Sequence, residues 1–312
     1  MMFKNSMKLL FANFGTVWKL MVYYIFVSGL IVGLIAPVWG ALSAHFNPDF
    51  VSNNLINTAM SINVASNLPY VLAELYEGLV LLFAGVISLF ETNPLLAVYV
   101  CFVVFYLIPF LYGLADLPIQ ETLFGYMSSL TKYGFFHSFI RKLGKSALLQ
   151  LFKTFIMLPF TALILFVVMQ ILSLTAIGGG ILYLVPFLIV FAICGFFALK
   201  RTFLSGWIPA IVVYDYNMFK GLKAGLKAVF RRFWRTLSTA LVITLIVFAI
   251  NYLFGLPAIL IIAPISIMIF NVFEMVMFFS SQGMRYYVDL DTIVTPKLLE
   301  EKDSFRKTKN II

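Results

Sequence analysis

Residues 221–250 read GLKAGLKAVFRRFWRTLSTALVITLIVFAI, a basic and aromatic stretch that runs straight into an apolar one. With the preceding lysine, Lys220, Lys223, Lys227, Arg231 and Arg235 recur at helical spacing on one face, and Leu222, Leu226, Val229, Phe233 and Leu237 fall on another. Arg232 adds a sixth cation. This pattern predicts an amphipathic helix on an anionic membrane surface, with aromatics at headgroup depth, feeding a membrane-spanning helix. Each Lys or Arg near such a surface is worth about 1 kcal/mol.

Composition agrees. The chain has 312 residues, 62% of them hydrophobic and only 11% charged. A soluble domain must carry polar groups outside, so it has nowhere to hide that much apolar surface. Six apolar runs are long enough to cross a bilayer, at about 20 residues each. They cover roughly 20–42, 94–115, 154–176, 179–199, 237–256 and 257–280. Gly178-Gly179-Gly180 and Gly255-Leu256-Pro257 supply breakers for tight turns between antiparallel neighbours. The first run is far longer than a signal peptide's apolar core and reads as a retained span.

The positive charges test this layout. None of the 22 Lys and Arg falls in 20–131, 154–199 or 236–284. Six spans with both termini in the cytoplasm place every one of them inside, as Lys/Arg enrichment of cytoplasmic loops requires. Residues 69–90 compete as a seventh span. That choice would put the later basic blocks outside, and its fully apolar part, 78–90, is short. It is expected to be an interfacial or re-entrant helix within an extracytoplasmic insert, 43–93, that holds Asp49, Glu74, Glu77 and Glu91 and no Lys or Arg. Residues 281–312 read as a polar cytoplasmic tail. The expectation is one integral membrane domain over 1–312 in the cell membrane. Its fold is an all-α polytopic bundle of three helical hairpins with basic in-plane helices on the cytoplasmic side.

A pattern Lys-x-x-[Phe/Leu]-x-x-[Phe/Leu] precedes each inward-to-outward span: Lys8-Phe11-Phe14, Lys145-Leu148-Leu151 and Lys227-Phe230-Phe233. Tandem duplication and independent anchoring of three spans both account for it.

The stretch GWIPAIVVYDYNMFKGLKAGLKAVFRRFWRTLSTALVI, 206–243, has a span end, a Pro-Ala-hydrophobic run, a Leu-Lys-Ala-Gly-Leu-Lys helix, an aromatic-basic Phe-Trp-Arg and another span. In this it resembles the membrane domain of glycerophosphodiester phosphodiesterases and related uncharacterised bacterial multi-span proteins. The resemblance covers about 200–250 closely and the remainder in layout. It implies an all-helical membrane bundle with no reaction of its own. The soluble phosphodiesterase domain and its metal-binding acids have no counterpart in this sequence.

Glu274 interrupts an apolar run, IMIFNVFEMVMFFSS, in the last span. An ionisable group within the membrane is a functional candidate, because a central charge costs roughly 2.5–3.5 kcal/mol. With Asn271, one turn earlier, and Asn251 and Gln170 in other spans, it could line a polar path. The competing reading has the carboxylate at the interface or paired with Arg201 or Lys153. Asp116 and Asp215 follow spans and are expected to pair with neighbouring bases. Pro109, Pro159, Pro186 and Pro264 fall inside apolar runs, where prolines kink helices and more often shape packing than mark transport sites. His45 and His137 lack a second ligand at metal spacing, and Cys101 and Cys194 carry no pairing or metal pattern. No nucleotide loop, nucleophile elbow or paired catalytic acids appear. The expectation is therefore a non-enzymatic protein without cofactor, metal or nucleic acid. It meets an anionic inner leaflet and serves as an accessory or scaffolding component, with a membrane protein as a candidate partner. The alternative is a transporter or channel for a small solute or lipid.

Overall fold

Helix ends in this chain follow its prolines, glycines and capping side chains, as a computed structural model shows for residues 2–41, 80, 84–128, 134–174, 184–254, 259–289 and 292–294. In chain order these form α1 (Met2–Ala12), α2 (Phe14–Ile35), α3 (Pro94–Phe102), α4 (Ile108–Gly113), α5 (Asp116–Met127), α6 (Phe135–Ser173) and α7 (Val185–Leu204). They continue with α8 (Trp207–Tyr214), α9 (Met218–Phe230), α10 (Phe233–Phe254) and α11 (Ile259–Gln282). Two short strands follow, β1 (Tyr286–Asp289) and β2 (Thr292–Val294). The protein is an all-α membrane protein. Among the described residues six helical stretches are long and apolar enough to cross a bilayer: Phe14–Ala41, Pro94–Met127, Phe135–Ser173, Val185–Tyr214, Phe233–Ile250 and Ile262–Gln282.

Several boundaries differ from the sequence reading for local reasons. Asn93 caps α3, its side chain accepting from the Leu96 N–H at 3.3 Å, with Pro94 in the first turn. A π-helical turn, Val103–Leu107, precedes Pro109, and the Ile108 N–H reaches back to the Val103 carbonyl. That wider turn accommodates a ring that has no N–H and would crowd an ordinary α-helical carbonyl. Beyond Gly113 the helix jogs and resumes as α5, so the apolar stretch runs past the expected end at 115. Pro186 lies in the first turn of α7, where its missing donor costs no helical bond. Gly178-Gly179-Gly180, Gly255-Leu256-Pro257 and most of 43–93 lie outside the described residues. Of that insert, 80 and 84–93 are described, and 84–92 is helical.

The chain divides into two compact units. The first comprises Met1–Ile25, Tyr112–Leu151 and Phe197–Ile312. Its centre is α11, against which α1, α5, α8, α9 and α10 pack. Met268, Val272, Phe273, Met275, Val276 and Met277 of α11 are fully buried. The polar tail contributes an unanticipated antiparallel strand pair, with Tyr286 opposite Val294 and Tyr287 opposite Ile293. β1 packs on α1 and α5, and Asn5 of α1 donates to the Tyr286 hydroxyl at 2.7 Å.

The second unit comprises Phe26–Leu111 and Phe152–Phe196. Leu89 and Ala97 pack with Ile35, Val38, Leu96 and Val100, and the Tyr99 hydroxyl donates to the Leu34 carbonyl at 2.9 Å. Leu172 and Val185 pack with Val168, Ile171, Leu174 and Ile189. These contacts pair the first span with the second and the third with the fourth. The contact of α10 with α11 in the first unit pairs the fifth with the sixth. The expected hairpins are therefore all present.

Candidate functional site

The first unit brings polar side chains from four helices into one buried cluster. Asp116 and Gln120 stand one turn apart on α5, Gln150 lies on α6, Arg201 on α7, and Asn271 and Glu274 on α11. Gln120, Asn271 and Gln150 are 0%, 1% and 2% exposed, Glu274 5% and Asp116 7%. α5 carries both members of its pair inward because almost its whole surface is covered, from Asp116 through Gln120 to Met127.

The bonds form a chain. Gln120 Nε2 donates to Glu274 Oε2 at 2.9 Å and to Asn271 Oδ1 at 3.1 Å. Asn271 Nδ2 donates to Asp116 Oδ1 at 3.3 Å and to the Ile267 carbonyl one turn back at 3.0 Å. Gln150 Nε2 donates to Asp116 Oδ2 at 3.4 Å and to the Gly113 carbonyl. Arg201 donates to Glu274 Oε1 at 3.3 Å, with its guanidinium 4.6 Å from the centre of the Phe270 ring. Each of the four carboxylate oxygens thus accepts from a committed donor, the arrangement that makes buried ionised carboxylates tolerable. A Cβ on Gly113 would stand 2.3 Å from Gln150 Oε1, so a side chain there would displace Gln150.

Of the intramembrane polar residues singled out from sequence, Asn271 and Glu274 meet in this cluster. Glu274 pairs with Arg201, one of the two cations considered for it. Gln170 is exposed on α6 in the second unit. Asn251 belongs to α10, and its side chain lies outside the described residues. Asp116, Gln120 and Gln150 were not recognised as a set. The available signal was the i, i+4 spacing of Asp116 and Gln120, together with Gln150 as a lone amide in an apolar run.

The basic surface is the second candidate. Lys220, Lys223, Lys227, Arg231 and Arg235 are all exposed. Arg232 is half-buried and donates to Ser280 Oγ of α11 at 3.0 Å. Burial, then the nearby Arg235 charge, lowers the Arg232 pKa from its ordinary value. The opposite face of α9 is Gly221, Gly225, Ala228 and Val229, packed against α8 and α11. Gly206 and Gly225 meet backbone to backbone, and a Cβ on either would lie 2.5 Å from the other's main chain. Lys220, Lys223 and Lys227 therefore project from a helix seated on protein by its small-residue face, whereas the helix expected to carry all the cations breaks at Arg231-Arg232 and Arg235 stands on α10.

Three further cations surround α5 and α8. Glu121 pairs with Arg141 and, at 4.0 Å, with Lys142. Lys145 reaches Asp215 at 2.6 Å, as expected of an acid following a span. Asp215 ends α8 in the left-handed conformation, φ 50°. The repeated pattern also has a structural meaning. Lys8, Phe11 and Phe14, then Leu148 and Leu151, then Lys227 and Phe230 are exposed, whereas Leu9, Ser146 and Ala228, each directly after the pattern's lysine, are buried. The stripe faces outward for most of its length, with Lys145 half-buried and Phe233 packed against the core.

Comparisons with protein-family models, with curated protein sequences and with solved structures return no match. Among the described residues no group of three or more His, Cys, Asp or Glu is placed to hold a metal ion.

Proposed function

We propose that this chain is an accessory or scaffolding component of the cell membrane, with both termini cytoplasmic. On this reading it presents a basic, aromatic face to an anionic inner leaflet and to a membrane protein partner. The observation that carries the proposal is the mounting of α9. Its glycine face is locked on α8 while its three lysines, Lys220, Lys223 and Lys227, are exposed, followed by the exposed Arg231 and Arg235 beyond its end and beside the exposed Phe219, Phe230 and Trp234. A rigid row of charge and aromatic rings suits a docking platform, since little side-chain or backbone order remains to be imposed on contact. The membrane-domain resemblance, which implies no reaction, is in keeping with this role.

A second reading, transport of a small solute or lipid, has one specific observation in its favour. Two carboxylates and three amides are buried together between helices long enough to cross the membrane. Purification from native membranes at endogenous level, in a gentle detergent, separates the two. A stoichiometric protein partner that is lost when Lys223 and Lys227 are both changed to Glu is expected for a scaffold. A partner-free protein that retains a defined solute or lipid would overturn the scaffold in favour of transport.

A further inference from the structure

A small crevice opens where α5, α6 and α8 converge. Leu117 and Glu121 of α5, Lys142 and Lys145 of α6, and Ile211 of α8 line it, with Asp215 at the end of α8. All of them lie in the first unit. Exposure gives the crevice its depth. Leu117 and Ile211 are buried at its floor, the Glu121 side chain is 12% exposed, and the Asp215 side chain is 80% exposed at its mouth. The space inside is about 20 Å³ for the centre of a water-sized group. One such group needs about 10–15 Å³ on that measure, so the crevice admits one small group.

The lining has unspent bonding capacity of both kinds. Glu121 Oε1 accepts from Arg141, while the covered Oε2 accepts no hydrogen bond among the described residues. Lys145 donates to Asp215 Oδ1, a bond that uses one of the three donors of the ammonium and one of the two carboxylate oxygens. Lys142 Nζ stands 4.0 Å from Glu121 Oε1, too far for a hydrogen bond. Two carboxylates and two ammonium groups carry no net charge between them. An anion alone would meet the carboxylates as well as the lysines, and a cation alone would meet the lysines as well as the carboxylates. A molecule that carries both charges complements both.

We propose that this crevice binds a phospholipid headgroup that carries a primary ammonium and a phosphate. The ammonium is the part small enough to enter, and it donates to Glu121 Oε2 and to Asp215. The phosphate stays at the mouth and accepts from Lys142 and Lys145. A covered acceptor without a donor is costly, and the ammonium supplies that donor.

The surroundings favour a lipid over a soluble molecule of the same chemistry. Ile140, Leu143 and Leu148, on the same stretch of α6 as the two lysines, are exposed. Tyr214 and Tyr216 flank Asp215, also exposed, with their rings stacked at 5.1 Å. Exposed apolar side chains beside a charged crevice suit the boundary between headgroups and acyl chains, and tyrosines favour that depth. The site is separate from the cations of α9, and the inference stands apart from whether the chain has a protein partner.

The test is lipid competition on the full chain in a gentle detergent, with bound lipid counted by native mass spectrometry. The competitors are phosphatidylethanolamine, its N-methylated derivatives, phosphatidylcholine and phosphatidylglycerol, all with the same acyl chains. Phosphatidylethanolamine is expected to be retained about tenfold over phosphatidylcholine. Each added methyl group is expected to lower retention, because it removes a donor and enlarges the group that must enter. Glu121→Gln and Asp215→Asn are each expected to abolish most of the preference, whereas changing Lys223 and Lys227 together to Gln leaves it intact. The methyl series needs no variant, and Asp215 is exposed, so the site remains testable if Glu121→Gln does not fold. Equal retention of the ethanolamine and choline lipids, or a preference for phosphatidylglycerol, would overturn the proposal. So would a preference that survives in Asp215→Asn or that is lost with Lys223 and Lys227. Soluble phosphoethanolamine that competes as well as the lipid would place the ligand in solution and overturn the lipid assignment.

Discussion

The first and last spans, Phe14–Ala41 and Ile262–Gln282, are equally apolar, with mean hydropathy 2.1 and 2.0 over their most apolar stretches of about five turns, yet 11% of the first one's stretch is buried and 78% of the last one's. Trp18, Val22 and Phe26 stand exposed along α2, which in a bilayer is contact with lipid. α11 instead faces α1, α5, α8, α9 and α10. Hydropathy reports the solvent a helix tolerates and is silent on whether that solvent is lipid or protein. What distinguishes α11 is polarity hidden inside the apolar run: Ser266, Asn271, Glu274, Ser280 and Ser281 are all buried. Each must meet a partner on another helix or on its own turn, because the bilayer core offers none.

The largest expected effect comes from breaking that distinction at Glu274. Glu274→Ala leaves Arg201 and Gln120 facing a buried void and is expected to cost about 3–5 kcal/mol, measured by reversible unfolding in bicelles. Val22→Ala on α2 is the matched control, expected within about 0.5 kcal/mol. A loss at Val22 as large as that at Glu274 would erase the contrast between the two helices.

Gly225→Val tests the seat of α9. A Cβ there meets the Gly206 backbone at 2.5 Å, and backbone cannot give way as a side chain can. The expected loss is about 1–3 kcal/mol. Gly15 and Gly29 of α2 have no other atom within 4 Å of an added Cβ, so Gly29→Ala is expected to leave the unfolding free energy unchanged or slightly raised.

The basic row should affect lipid binding and leave the fold alone. Replacing Lys223 and Lys227 together by Gln is expected to weaken association with anionic lipid by about 2 kcal/mol, at about 1 kcal/mol per charge, with unfolding unchanged. Mass spectrometry of retained phosphatidylglycerol reads the first quantity. An unchanged lipid complement would show that the row serves something other than headgroups.

The smallest effect concerns the Lys145–Asp215 pair. Its hydrogen bond to Lys145 and the Lys145 charge hold Asp215 below its ordinary value of 3.8. Because the folded-state value is the lower one, the pair contributes above the unfolded-state value and is lost as pH falls through the folded one. Asp215 is 80% exposed, so less than about 0.5 kcal/mol is expected to disappear on acidification. The Asp215→Asn variant should abolish that part of the acid response.

Much of this was legible in the sequence. Six spans, the hairpin pairing and the outward cations of α9 follow from run length, charge segregation and helical spacing. The membrane positions of Asn271 and Glu274 were also legible, since each breaks an otherwise apolar run. The partners of Glu274 were only half visible. Arg201 was a candidate because it closes a span. Asp116 and Gln120 were not, because α5 is buried on nearly every side and so carries no amphipathic period to separate an inner face from an outer one. Gln150 was missed because one amide in an apolar run has no direction until the helices pack. The small-residue face of α9 was hidden for a related reason: glycine adds nothing to an apolar pattern, and its meaning here is the close approach of another backbone.

The most direct test of α11 as a protein-buried span tied in by its polar groups is a double-mutant cycle on the Gln120–Asn271 bond. Gln120→Leu, Asn271→Leu and the pair are compared by unfolding free energy in bicelles. Each single change leaves a buried group without its partner, whereas the double change removes both ends of the 3.1 Å bond. The double cost is expected to fall short of the sum by about 1 kcal/mol or more. Strictly additive costs would mean that the two amides do not meet in the folded protein, and would contradict the network and the central place of α11 together.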